Sequence, residues 1–128
     1  MVPYSASVAP RILTLEPGFA RVAIRDRRAV RNHLNSIHAI ALANVGELAS
    51  GLALISTLPA DVQGIVVSLK VDYMKKARGT LVAASRSNLP HVGVDTEHVA
   101  TAHVTDESGE TVAQIFVTWR LRKSSTER

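Results

Sequence analysis

The sequence lacks several residue types that particular folds and chemistries need. It has no cysteine among its 128 residues, which excludes disulfides, thiolate metal ligands and a cysteine nucleophile. Aromatic residues make up only 4% of the chain, so a core must be built from Val, Ile, Leu and Ala. The opening segment has no basic region followed by an apolar run, so we predict no signal peptide and expect a cytoplasmic protein.

Acidic residues are also few: 11 against 15 Lys and Arg, which gives a formal charge of +4 and a pI near 10.0. This balance favours anionic partners, such as a phosphate-bearing cofactor, nucleic acid or a membrane surface, without choosing between them. The length predicts a single domain, residues 1–128, with frayed termini at about 1–10 and 122–128.

One stretch is apolar almost throughout: HAIALANVGELASGLALIST, from His38 to Thr57. It predicts a helix on the order of 30 Å long, with Asn44, Glu47 and Ser50 on one side because they are spaced by three. Its Gly and Ala content, its carboxylate and the flanking charge favour a core helix, so we predict no membrane insertion. A carboxylate in a buried helix is costly unless it has a partner or a function, which makes Glu47 the first candidate functional residue.

Alternation of apolar and polar residues predicts five strands around this helix. They are residues 19–26, 65–73, 80–87, 96–105 and 111–121, and the apolar face of the second is predicted to carry Ile65, Val67, Leu69, Val71 and Tyr73. Residues 1–18 are expected to be irregular or a short helix, and 106–110 a hairpin turn. One strand, a long helix and four strands predict an α+β fold with a five-stranded antiparallel sheet curled onto the helix.

This order, together with four local motifs, resembles the hotdog-fold acyl-CoA thioesterases, in which a curved antiparallel sheet wraps one long helix. The resemblance covers Phe19 to Arg120 and is nearest to the small phenylacetate-type branch, in particular to an uncharacterised group within it. The matching segments are Asn32–Leu34, His38–Asn44, Glu47–Gly51 and Val71–Gly79. The resemblance implies hydrolysis of acyl-CoA or another acyl thioester by a homodimer or homotetramer, with coenzyme A as part of the substrate and no cofactor.

In that branch an Asn precedes a His by six residues, and an Asp or Glu follows the His by nine. Asn32, His38 and Glu47 have these spacings. The resemblance implies that Glu47 activates water, or acts as the nucleophile, at the thioester carbonyl, and that the backbone N–H of Ala39 donates to the oxyanion. His38 would orient that turn or bind the substrate, and Asn32 would position the water or the thioester. In dimeric hotdog enzymes the carboxylate typically comes from the partner chain's helix.

The sequence departs from the family pattern where two glycines are replaced by Ala39 and Ile40. A backbone N–H remains at either position, but Ile40 is expected to crowd the acyl group. Lys75, Lys76 and Arg78 lie near the expected path of the coenzyme A phosphates, where their charge would help. A solvated bend is the other interpretation of these three residues.

Three other hypotheses stay open. The replaced glycines would permit a non-catalytic hotdog protein that binds acyl-CoA or a similar ligand. A hydratase or dehydratase acting on enoyl-CoA also uses a His and a carboxylate. Nucleic-acid binding is suggested only by the pI, without a stacking surface or a recognition helix, so we predict no nucleic-acid partner. His91, His98 and His103 lack metal-ligand spacing, so we predict no metal site, and His98 and His103 should lie on opposite faces of a strand.

Overall fold

The computed structural model describes residues 10–24, 39–77, 79–87 and 95–123, and for residues 39 and 40 the backbone alone. These residues form six strands and one long helix. Their bounds are β1 Arg11–Glu16, β2 Phe19–Ile24, α1 Ala39–Ile55, β3 Val62–Tyr73, β4 Leu81–Arg86, β5 Asp95–Thr105 and β6 Thr111–Lys123. The strands pair antiparallel in one sheet with the order β1-β2-β4-β5-β6-β3, so the predicted α+β architecture is confirmed.

The core lies between α1 and the inner face of the sheet. The helix buries its apolar residues there, among them Val45, Ala49 and Leu54. Strand β6 supplies the other half, and its alternation is as predicted: Ala113, Ile115, Val117, Trp119 and Leu121 are all buried. Burial of a side chain the size of Val, Ile or Leu stabilises the fold by about 1.5–3 kcal/mol, so this contact is the main source of stability.

Strand β1 is not in the predicted set, because we expected residues 1–18 to be irregular or helical. It pairs with β2 through a turn at Pro17 and Gly18, and both of its faces are largely exposed, so its sequence has no period-two pattern. Gly18 has φ +81°, and a Cβ there would lie 2.5 Å from the carbonyl oxygen of Ser87. The sheet formed by the described residues therefore has six strands, whereas five were expected.

Strand β3 departs from the predicted pattern within the strand. A register shift between Val66 and Ser68 places Ile65 opposite Arg120, which points to the outer face, while Leu69 lies opposite the buried Val117. Because side chains alternate between the two faces of a strand, the extra residue of a bulge places every earlier side chain of the strand on the opposite face from the one that regular alternation predicts. The prediction that Ile65 shares the apolar face of Leu69 was therefore wrong, and Ile65 is 59% exposed.

The helix crosses the sheet diagonally. In its N-terminal half, Gly46 lies directly on Ile115 of β6. At its C-terminal end, Ser56 Oγ accepts a hydrogen bond from the N–H of Gly18 (2.9 Å), which ties the chain to the turn between β1 and β2. The helix packs mainly on β2, β4, β5 and β6 and makes few contacts with β3, so the described residues leave much of the inner face of β3 uncovered.

Gly46→Val is expected to lower the free energy of unfolding by more than about 2 kcal/mol. A Cβ at this position would lie 2.6 Å from Cγ1 of the fully buried Ile115, so the helix or the strand must move. Urea denaturation measures the change, with Ala43→Val, at a half-buried position of the same helix, as the control. Equal midpoints for the two variants would contradict the close packing.

Candidate functional site

Glu47 is half-buried on α1, as is Asn44 one turn earlier. Ser50, the third polar residue of the predicted set, is fully buried and donates a hydrogen bond from Oγ to the carbonyl oxygen of Glu47 (3.0 Å). Among the residues that the structure describes, none forms a hydrogen bond or an ion pair with the Glu47 carboxylate. The carboxylate is therefore partly shielded from water, and no described residue uses it to hold the fold together.

The neighbours of Glu47 on the helix show which way it faces. Gly46 lies on Ile115, and Gly51, one turn after Glu47 on the same side of the helix, lies against the ring of Trp119. Both contacts are with β6, and β3 is the next strand beyond it. Glu47 therefore lies on the side of the helix that faces the uncovered inner face of β3.

We call this uncovered area the β3 inner surface: Val66, Leu69, Val71 and Tyr73. Val66 and Val71 are half-buried, whereas Leu69 is 43% and Tyr73 52% exposed, and burial raises the pKa of the Tyr73 hydroxyl. This surface belongs to β3, which is an edge strand of the sheet formed by the described residues, so one side of its backbone pairs with none of the described strands. Apolar area of this kind, next to an unpaired edge, is typical of a binding surface for a ligand or another chain.

The other predicted catalytic residues lie at the start of the helix. Asn32 and His38 are outside the described residues, as is the side chain of Ile40. Within the described residues the helix begins at Ala39, and the N–H groups in the first turn of a helix have no acceptor within the helix. A helix start of this kind favours negative charge, as an oxyanion site requires.

Lys75, predicted to contact coenzyme A phosphates, is held by the hairpin between β5 and β6. Its Nζ forms ion pairs with Glu110 and with Asp106 (3.1 Å). These two carboxylates, Glu110 first, raise the pKa of Lys75. A phosphate would have to compete with them for this ammonium group. Lys76 is exposed, and Arg78 lies outside the described residues.

The same hairpin confirms the predicted turn at 106–110. The Asp106 Oδ1 accepts hydrogen bonds from the Ser108 hydroxyl (2.6 Å) and from the N–H groups of Ser108 (3.0 Å) and Glu110 (3.1 Å). The hydrogen bond from the Ser108 hydroxyl, followed by those from Lys75 and the backbone, holds the pKa of Asp106 far below its usual range. Asp106 therefore orders the turn and anchors Lys75.

Asp106→Asn is expected to make stability less dependent on acid pH. Because the folded-state pKa of Asp106 is depressed, its contribution is complete above the unfolded value of about 3.9 and is lost as pH falls through the folded value. The melting temperature of the wild type should therefore fall more than that of the variant when the pH drops from about 6 to about 2.5. Asp61→Asn, at an exposed position, is the control, and equal slopes for wild type and Asp106→Asn would contradict the expectation.

A second polar group lies at the far end of β5 and β6, and the sequence motifs did not indicate it. His98 lies opposite Trp119 and is half-buried, and this burial lowers its pKa. Its Nε2 lies 3.4 Å from Oγ of Ser87. His103 is exposed on the outer face, so the prediction that His98 and His103 face opposite ways is confirmed. Only the strand register brings these residues together.

The described part of the chain contains neither a cluster of metal ligands nor a membrane-spanning helix. Within it, no three His, Asp or Glu side chains lie close enough together to hold a metal ion. Nor does it contain a helix long and apolar enough to cross a membrane.

Three solved structures show which class of protein this geometry defines. A structural-genomics target shares 31% identity with a TM-score of 0.87, covering 95% of this chain and 82% of its own. A thioesterase family protein from Silicibacter pomeroyi shares 25% identity with a TM-score of 0.82, and the match covers 96% of this chain and 91% of that protein. A probable thioesterase from Pseudomonas aeruginosa shares 23% identity with a TM-score of 0.87, and the match covers 95% of this chain and 88% of that protein. The protein thus has the hotdog fold of the thioesterases, a curved antiparallel sheet around one helix, and the phenylacetate-type classification predicted from its motifs is confirmed.

The family can be stated more narrowly. Residues 1–121 match the family DUF4442, described as a domain of unknown function. The chain belongs to this family. None of the curated proteins matches the sequence.

Proposed function

We propose that this protein is a thioesterase that hydrolyses acyl-CoA or a similar acyl thioester at a site shared by two copies of the chain. The observation that carries the proposal is the position of Glu47, half-buried beside the apolar β3 inner surface and without a partner among the described residues. The thioesterase names of proteins with the same fold support it. A cytoplasmic location belongs to the same proposal.

Helix geometry supports a site shared by two copies. Ala39 and Glu47 are eight residues apart, which is about 12 Å along the helix axis. The N–H groups of the first turn point out of the N-terminal end, away from Glu47. A carbonyl oxygen bound at Ala39 therefore lies beyond the helix end, too far for the carboxylate of the same chain to act on its carbon. The Glu47 of a second copy must supply the carboxylate.

Strand β3 offers the edge along which this second copy would bind. It is 12 residues long, and Ile65, Val67 and Leu69 are between 43% and 59% exposed. Pairing of two such edges would satisfy their backbone groups and cover apolar side chains. It would also bring the two β3 inner surfaces, and the Glu47 beside each, next to one another. A homodimer is therefore the smallest active assembly, and a homotetramer would contain two such dimers.

In this site Glu47 takes a proton from a water molecule as the water oxygen bonds to the thioester carbonyl carbon. The carbonyl oxygen, now negatively charged, accepts a hydrogen bond from the Ala39 N–H of the other copy. The C–S bond then breaks, Glu47 returns the proton to the departing thiolate, and a carboxylic acid and a thiol are released. We propose that His38 and Asn32 orient the thioester and the water, and that Ile40 contacts the acyl group. The phosphates of coenzyme A would be bound by Lys75, Lys76 and Arg78.

The direct test is hydrolysis of a panel of acyl-CoAs, short, long and aryl-acyl, with the freed thiol detected by a thiol reagent. The chain has no cysteine, so the protein gives no background. Release of thiol with at least one class of substrate is expected. Absence of turnover, with acyl-CoA still raising the melting temperature, would instead support a non-catalytic binding protein, which Ala39 and Ile40 in place of two glycines would permit. Addition of water to an enoyl-CoA would identify a hydratase.

A further inference from the structure

The diagonal course of α1 leaves a wedge-shaped space next to β6. The helix lies on β6 at Gly46, but by Ser56 it has reached the turn between β1 and β2. The space between its C-terminal half and β3 therefore widens along the sheet. Trp119 of β6 lies in this space and is only 8% exposed.

Two glycines allow the indole ring to fill the wedge. A Cβ at Gly51 on the helix would lie 3.2 Å from Trp119 Cζ2, and a Cβ at Gly64 on β3 would lie 3.2 Å from Cε3. Both distances are shorter than ordinary van der Waals contact, so two opposite edges of the indole ring lie close to the backbone of Gly51 on the helix and of Gly64 on β3. We call these three residues the Trp119 plug. They are far apart in the sequence and meet only through the packing of α1, β3 and β6.

Within the described residues the ring fills space without using its hydrogen-bonding group. Its buried Nε1 has no hydrogen-bond partner among the residues that the structure describes. A buried N–H without an acceptor is unfavourable, whereas a Phe or Leu would avoid that cost and fill less of the space. Two observations favour a function for the plug. The indole N–H has no acceptor among the described residues, and Gly51 and Gly64 enclose the ring from two sides.

The plug lies close to the proposed reaction centre. Gly51 follows Glu47 by one helical turn on the same side, which separates their Cβ positions by about 5–6 Å. The acyl chain is the apolar part of the substrate, and the uncovered apolar area beside Glu47 is the β3 inner surface. On that surface Leu69 lies opposite Val117, the inner residue of β6 just before Trp119. A chain that extends over it from Glu47 towards the C-terminal end of α1 meets the indole ring.

We propose that Trp119 limits the length of the acyl group, so that the substrates are thioesters of short or compact acids. The inference rests on the proposed thioesterase function and adds to it the class of substrate. Trp119 is a specificity-determining residue in this view, since it closes the acyl pocket without taking part in the chemistry.

The test compares butanoyl-CoA with decanoyl-CoA. The wild type should have a higher kcat/KM for butanoyl-CoA, and Trp119→Leu should raise the ratio of decanoyl to butanoyl kcat/KM by about tenfold or more. Phe116→Leu is the matched control, since Phe116 is a half-buried aromatic residue of the same strand on the outer face, and its ratio should not change. If the melting curve shows that Trp119→Leu is unfolded, Trp119→Phe takes its place. Trp119→Phe should raise the ratio of decanoyl to butanoyl kcat/KM by a smaller factor.

Failure of this inference can be separated from failure of the proposed function. Faster hydrolysis of decanoyl-CoA by the wild type, or an unchanged ratio in a folded Trp119 variant, would overturn the chain-length limit and leave the thioesterase intact. Where no acyl-CoA is hydrolysed, the thioethers S-butyl-CoA and S-decyl-CoA test the same limit by equilibrium binding. If the wild type binds S-butyl-CoA more tightly than S-decyl-CoA and Trp119→Leu reverses this order, the limit on acyl-chain length is supported even though the protein has no hydrolytic activity. Equal binding of both, or binding of neither, would refute it.

Discussion

Glu47→Gln is expected to lower kcat for thioester hydrolysis by about 10²–10⁴-fold. The amide has nearly the same shape as the carboxylate but cannot take a proton from water. Because the described residues form no hydrogen bond or ion pair with the carboxylate, its replacement should leave the melting temperature almost unchanged. Binding of a non-hydrolysable S-alkyl-CoA should also survive. This combination of lost turnover with intact folding and binding is specific to a catalytic base.

The matched control is Glu97→Gln, an identical change at an exposed position on β5, for which full activity is expected. Initial rates with the best acyl-CoA of the panel and thermal melts of the three proteins decide the matter. Turnover of Glu47→Gln within a few-fold of the wild type would remove Glu47 from the mechanism. The hydrolytic function itself would still stand on the wild-type result.

Val67→Lys is expected to convert the protein into a monomer and to abolish hydrolysis, although Glu47 is unchanged. Val67 lies at the bulge of β3, is 48% exposed and belongs to the edge along which the two copies are proposed to pair. A charged side chain on an edge strand is a common barrier to pairing with another strand. A monomer keeps Glu47 and Ala39 about 12 Å apart on one helix, so neither half of the site is complete. Sedimentation velocity and acyl-CoA hydrolysis measure the two effects.

Val99→Lys is the control, since Val99 is 56% exposed on β5, an interior strand of the sheet. It should keep both the dimer and the activity. A second control mixes chains carrying Glu47→Gln with chains carrying Ala39→Pro, which removes only an N–H at the first helical position, where proline is tolerated. Mixed dimers contain one complete site and should regain part of the activity. A fully active Val67→Lys monomer would show that one chain suffices.

The sequence by itself determined the features that depend on a local pattern. The alternation in β6 predicted its buried face because every second residue of a strand points to the same side, whatever the strand's neighbours. The apolar stretch around Glu47 predicted the central helix, and the composition of 106–110 predicted the hairpin turn. The motif segments predicted the hotdog class, which the structural comparisons confirm. The catalytic roles of Asn32, His38 and Glu47 remain predictions.

Only the tertiary structure decided the features that depend on pairing between distant segments. Strand β1 exists because β2 pairs with it, and the bulge at Val67 turns Ile65 outward through its alignment with β6. No pattern in the sequence relates Gly51, Gly64 and Trp119 to one another, and they meet because α1 crosses the sheet at an angle. A local pattern fixes the face of a side chain within its own element. Register, bulges and crossing angle fix what that face contacts, and they arise from the packing of all the elements together.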